Sequence, residues 1–215
     1  MTKEAPVETI PTLYVKDKKF RLTYELDNVG SSAVKHVEVW WTKDGNPWER
    51  FADEVKPTGK VAISVKDEGT YGFRLTARSG AGLTAPAPKG TDAPHTWVVV
   101  DTTAPAVKME PVEVVATNGG EVILKWSVTD THLDTRPVTV RYADKPEGPW
   151  KEIVVRGAVA DTYHCPVKNL PTIAYFRIDA TDKSGNVGTA WTTEPIQIDL
   201  KVPAIRNVIG KPSDN

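Results

Sequence analysis

The chain repeats itself in order, and that repeat limits what it can fold into. VEVWW (Val37 to Trp41), followed by PWERF from Pro47, matches VTVRY (Val138 to Tyr142), followed by PWKEI from Pro149, roughly 100 residues further on. FRLTYEL from Phe20 matches VILKWSV from Val122, YGFRLTARSGAG from Tyr71 matches AYFRIDATDKSGNVG from Ala174, and DTTAPA from Asp101 matches DLKVPA from Asp199. Solenoid repeats run to about 20–50 residues, so a unit of this length is a whole domain. The 215 residues, 40% of them hydrophobic, suffice for two cores of about 100 residues each. The expected division is 8–102 for the first domain and 103–202 for the second, with 203–215 as a C-terminal tail or linker.

Both copies read as strands. Phe20, Leu22, Tyr24 and Leu26 alternate with polar residues, as do Val122, Leu124, Trp126 and Val128, which is the period of a half-buried strand. The same alternation recurs at Val37, Val39 and Trp41; at Val138, Val140 and Tyr142; at Val61, Ile63 and Val65; at Tyr71, Phe73, Leu75 and Ala77; and at Phe176, Ile178 and Ala180. Turn clusters such as KDGNP (Lys43 to Pro47) and KPEGP (Lys145 to Pro149) separate these runs, and 17 prolines and 15 glycines punctuate the chain. The pattern predicts an all-β chain of two β-sandwiches, each of about seven strands with Greek-key connections.

These residues resemble known families. The second copy is similar to fibronectin type III and bacterial Ig-like domains, through the tryptophan in VILKWSV and the run NLPTIAYFRIDATDKSGNVG. In the first, DEGTYGF (Asp67 to Phe73) resembles the Ig tyrosine corner, with Phe73 where an antibody domain carries its second cysteine and Trp41 on the strand that carries the core tryptophan. In the second copy Ala174 takes the tyrosine-corner position and Tyr175 has the opposite strand phase. The resemblance implies two tandem Ig-like, fibronectin type III-like sandwiches with no inter-sheet disulfide.

Charge and motif content narrow the function. Lys and Arg total 27 against 28 Asp and Glu, a net charge of −1, so there is no basic footprint for nucleic acid. No apolar run approaches the ~20 residues of a membrane span, and MTKEAPVETI lacks the apolar core of a signal peptide. One cysteine, Cys165, excludes an intrachain disulfide; its phase matches that of Val65, so it reads as a buried small hydrophobe. The catalytic signatures HExxH, CxxC, GxSxG and the Walker loop are missing, and His36, His95, His132 and His164 are scattered, with His36 and His95 expected at strand edges or the surface. The chain therefore reads as a non-enzyme.

Two groups of side chains remain as candidate sites. DTHLD places Asp130, His132 and Asp134 at alternating positions, and in a sandwich of this kind that loop lies at the same end as the one carrying Asp182 and Asn186. Oxygen ligands and one imidazole suit a calcium-like divalent cation in the second domain; the competing reading is turn formation, in which Asp and Asn bond to their own backbone. No other cofactor is expected. The second group is aromatic. Trp40 and Arg74 share the outward phase of neighbouring strands, where a cation-π stack is expected; Arg141 and Arg177 take the equivalent positions in the second copy, with Trp191 as a spacer between or beside them. Trp48 and Trp150, each after a proline, are expected to close the sandwich edges.

The function implied by the family resemblance is a noncatalytic module pair serving as spacer, display or adhesion segment of a larger surface or secreted bacterial protein, outside the cytoplasm, with a protein partner. On this reading the chain is a monomeric fragment of a longer array, and any export signal lies outside this stretch. The alternative is a carbohydrate-binding module with a polysaccharide partner, which requires exposed aromatic faces around Trp40, Trp97 or Trp191.

Overall fold

A computed structural model of the chain describes residues 9–27, 30–116 and 119–198, with Arg206, Val208 and Ile209. The expected tail 203–215 and the recurrence DLKVPA thus fall almost wholly outside the described residues. The chain divides into two compact units: Met1–Pro105 with Asp130–Asp134 and Thr181–Val187, and Ala106–Thr129 with Thr135–Ala180 and Gly188–Asn215.

In the first unit the strands are β1 (Thr12–Val15), β2 (Lys19–Thr23), β3 (Val34–Lys43), β4 (Glu49–Val55), β5 (Lys60–Ser64), β6 (Gly69–Ser79) and β7 (Thr96–Val100). One sheet runs β1-β7-β6-β3-β4 and the other pairs β2 with β5. Alternation explains both faces: Leu22, Val61 and Ile63 from the small sheet and Val39, Tyr71, Phe73, Val98 and Val100 from the large one form a single buried cluster. Trp41 stacks on Tyr71 (centroids 5.4 Å apart, rings within 3° of parallel), against that cluster. The first strand lies parallel to the last, Thr12 opposite Trp97 and Val15 opposite Val100.

Strand β2 stops at Thr23, and Leu26 is exposed rather than inward, because its partner β5 begins only at Lys60 and Tyr24 N–H makes the last bond, to Gly59 O. Along β6 the inward phase runs through Leu75, which packs against the core cluster, and ends there: Thr76 is buried and Ala77 exposed. Strand β7 pairs only as far as Phe73; beyond it β6 keeps its full pairing with β3, and its other edge meets a short return at Ser79 N–H to Leu83 O and an isolated bridge between Arg78 and Thr84. There the outward-phase residues His36, Glu38 and Thr76 are buried as well as the inward-phase Val37 and Val39, with Arg50, Glu54 and Arg78 lining the groove of that face. His36, expected at the surface, is 4% exposed.

The second unit is built from β8 (Ala106–Met109), β9 (Glu113–Val115), β10 (Glu121–Thr129), β11 (Leu133–Ala143), β12 (Lys151–Gly157), β13 (Ala160–Pro166), β14 (Ile173–Asp182), β15 (Val187–Trp191) and β16 (Ile196–Gln197). Strand β10 lies between β13 on one edge and β8 and β9 on the other; the second sheet runs β12-β11-β14-β15, with β16 also beside β14. Val122, Leu124, Trp126 and Val128 alternate inward from β10, and Ala174, Phe176, Ile178 and Ala180 from β14. Trp126 donates its indole N–H to Ala158 O at 2.9 Å, which satisfies its one polar atom inside the core. Cys165 is buried opposite Val122, and burial pushes its thiol pKa up.

Candidate functional site

Every candidate cation ligand lies in the first unit, which takes in the loops 130–134 and 181–187. Asp130 Oδ1 accepts the backbone N–H of His132 at 2.7 Å, a turn made by the aspartate with its own backbone. His132 Nδ1 lies 2.7 Å from Asp101 Oδ2, and its ring packs edge-on to Tyr14 at 5.9 Å. Asp182 Oδ1 accepts Asn186 N–H at 2.8 Å and Oδ2 accepts the Asn186 amide at 2.7 Å; the same amide also donates to Asp101 O at 2.8 Å.

The structure therefore joins Asp130 and His132 with a residue that the sequence reading missed. Ligand atoms of Asp101, Asp130 and His132 lie within 4.8 Å of one another, whereas Asp134 is exposed and, like Asp182, stands outside that trio. Asp101 is 5% exposed. Its second oxygen caps Thr103 N–H at 3.0 Å, so each carboxylate oxygen already has a partner. An ion held by all three would have to replace the Asp101–His132 bond. As it stands, the cluster is a hydrogen-bonded knot around the end of β7. Glu68 adds to it by accepting Thr102 N–H at 2.8 Å, with both threonine hydroxyls donating to the same carboxylate. The Thr102 hydroxyl and then its N–H hold the Glu68 carboxyl below its ordinary pKa.

The aromatic candidates sit on outward sheet faces. Trp40 and Arg74 are opposite each other in the β3–β6 register, but the guanidinium over the Trp40 ring is that of Arg50, at 4.9 Å, while Arg74 Nη1 donates to Ala93 O at 2.7 Å. Arg50 is the residue opposite Trp40 on β4, so the ring is covered from its other neighbour. Trp97 is half-buried, with its ring edge close above Gly72. In the second unit the bridge between Arg141 and Arg177 is Asp179, and Trp191 stands beside Arg177 rather than between the two. Asp179 accepts Arg141 Nη1, Arg177 Nε at 2.8 Å and the Thr189 hydroxyl at 2.7 Å, while Arg141 Nη2 reaches Glu152 at 2.6 Å. Like-charged arginines this close need an anion more than a spacer. Trp191, 58% exposed, instead joins Pro146, Trp150, Arg177 and Thr189 around an open groove of about 260 Å³.

No protein-family model matches the chain, and no curated protein shows significant similarity to it. Solved structures do. The fibronectin(III)-like modules of CbhA from Clostridium thermocellum superpose with a TM-score of 0.50 at 14% identity, covering 96% of this chain and 99% of that one. The chicken CNTN1 FN1-FN3 domains give 0.41 at 14% identity, over 86% of this chain and 62% of that one. A Ca2+-stabilized adhesin of an Antarctic bacterium gives 0.35 at 14% identity, over 84% and 44%. At such identities the likeness speaks to fold alone. With the strand order and the two buried cores described above, it makes this chain a pair of fibronectin type III-like, Ig-like β-sandwiches.

Proposed function

We propose that the chain is a noncatalytic module pair that spaces, displays or adheres within a larger cell-surface or secreted bacterial protein, outside the cytoplasm and against a protein partner. The observation that carries this reading is the treatment of the segment following β7. Asp101, Thr102 and Thr103 are held by Glu68, by the Asp101 cap and by the Asn186 amide. A slack tether would leave those backbone groups to water; here the strand passes into a fixed segment, followed by Pro105, as suits a semi-rigid spacer. Three further polar groups are engaged in structure in the same way: the Tyr71 hydroxyl, the Trp126 indole and the Asp101 carboxylate each have a partner inside their own unit.

Native-state hydrogen exchange on the intact chain tests the reading at the Thr102 and Thr103 amides. Protection comparable to that of the neighbouring β7 amides is expected. Exchange at the rate of an unstructured peptide at both positions would sink the spacer role. Adhesion is tested separately, by displaying the chain on a non-adherent bacterial surface and measuring attachment to immobilised matrix proteins.

A further inference from the structure

The outward face of the β12-β11-β14-β15 sheet carries an arrangement that a plain spacer does not require. Asp179 has the outward phase of β14, between the buried Phe176, Ile178 and Ala180, yet its side chain is only 6% exposed. Both its oxygens are taken, one by Arg177 Nε and the Thr189 hydroxyl, the other by Arg141. Because Arg177 meets Asp179 through Nε, the plane of its guanidinium is fixed while its terminal N–H groups remain as further donors. That guanidinium lies 5.8 Å from the centre of the Trp150 ring. Beside it, Trp191 exposes most of its indole, and Pro146 and Thr189 complete the groove.

Charge limits what such a groove can take. Arg141 and Arg177 are balanced by Asp179 and Glu152, so the cluster is neutral in sum and offers no net attraction to an anion. Two indoles and an oriented set of N–H donors match a neutral ligand with one apolar face and a rim of hydroxyl oxygens, which is the chemistry of a pyranose ring. A polyproline helix docks along successive pockets about 9 Å apart, whereas here the two indoles share one short groove. The first unit provides an internal contrast. Thr76 stands at the position equivalent to Asp179, Arg74 is spent on Ala93 O, and Arg50 covers Trp40.

We propose that the groove of Trp150, Arg177 and Trp191 binds neutral pyranose units of a polysaccharide, with the indoles stacking on sugar rings, Arg177 donating to ring hydroxyls and Asp179 acting as a positioning residue. This goes beyond the spacer reading and does not depend on it; its test reads the indoles of the second unit, not the Thr102 and Thr103 amides. The intact 215-residue chain is titrated with cellohexaose, xylohexaose and laminarihexaose to about 10 mM, a range that captures millimolar affinity, while the indole N–H signals are followed by NMR. The Trp150 and Trp191 signals are expected to move with at least one of these sugars, the Trp41 and Trp126 signals to stay, and a galacturonate hexamer to bind no better than the neutral sugars. Trp191→Ala, at a side chain too exposed to be needed for folding, is expected to weaken binding about tenfold or more with an unchanged melting temperature. Signals of Trp150 and Trp191 that stay fixed with all three sugars, a response to a decaproline peptide alone, or undiminished binding by Trp191→Ala would each overturn the proposal.

Discussion

Tyr71 shows how a single hydroxyl closes a sandwich. Its ring is buried in the first unit between Trp41 and Phe73, and its hydroxyl donates to Asp67 O at 2.7 Å, four residues upstream. Tyr71→Phe is expected to cost about 1 kcal/mol, the net worth of such a bond, measured by urea unfolding. Burial, ahead of the partly offsetting charge of Lys43, raises the phenol pKa above its ordinary 10.0. The folded state therefore favours the neutral phenol. Its contribution to stability is whole below the unfolded value and is lost as pH rises through that value toward the folded one. Stability that declines above about pH 10 in the parent and less steeply in Tyr71→Phe would match this account. Cys165 carries a related expectation: with its thiol buried and its pKa raised, it should resist a thiol reagent until the second unit opens, so that labelling tracks unfolding.

At the scale of the strand, packing decides which alternations survive. Gly72 lies on β6 beneath Trp97, and a Cβ there would stand 2.9 Å from both the Trp97 ring and the Thr42 methyl. Gly72→Ala is expected to destabilise the first unit by about 1–3 kcal/mol through overpacking, visible as a lowered unfolding midpoint. Strand phase was legible in the sequence wherever a strand has a neighbour on both sides: Val39, Phe73, Leu124 and Phe176 face inward as their alternation predicts. It failed at Leu26 and Ala77, where the partner strand ends, because alternation does not encode the length of a neighbour. The candidate sites were less legible for a similar reason. Asp179 has an outward phase and reads as solvent-facing, and the covering arginines, with Thr189, bury it. Asp101 sits in a joint motif, and nothing local in DTTAPA announces the bond to His132, 31 residues away. Asp179→Ala would leave Arg141 and Arg177 without their common anion. Because both arginines keep about a quarter to a third of their exposure, the expected loss is about 2–3 kcal/mol, below the range for a fully buried pair.

Across the whole chain, the two copies share a fold but not their use of charge. The knot around Asp101, Asp130 and His132 is closed by its own hydrogen bonds, so calcium and EDTA are expected to give the same melting temperature. A site saturated at about 100 times its dissociation constant would add roughly 2.7 kcal/mol, a shift of several degrees for domains of this size, and such a shift would show that the Asp101–His132 bond yields to an ion. The copies differ also in how their first strands are held. In the first unit β1 runs parallel to β7, so the strand that enters the fold is bonded directly to the strand that leaves it. In the second, β8 and β9 pair with β10, and β15 and β16 with β14. Tension applied to the two ends of the first unit would pull those parallel strands in opposite directions along their length, loading the whole ladder in shear at once. Among the described residues, the second unit has no such ladder joining its entry to its exit. Stretched by atomic force microscopy, the chain should lose its second unit first and its first unit at distinctly higher force, which would make the N-terminal sandwich the mechanical lock of the pair.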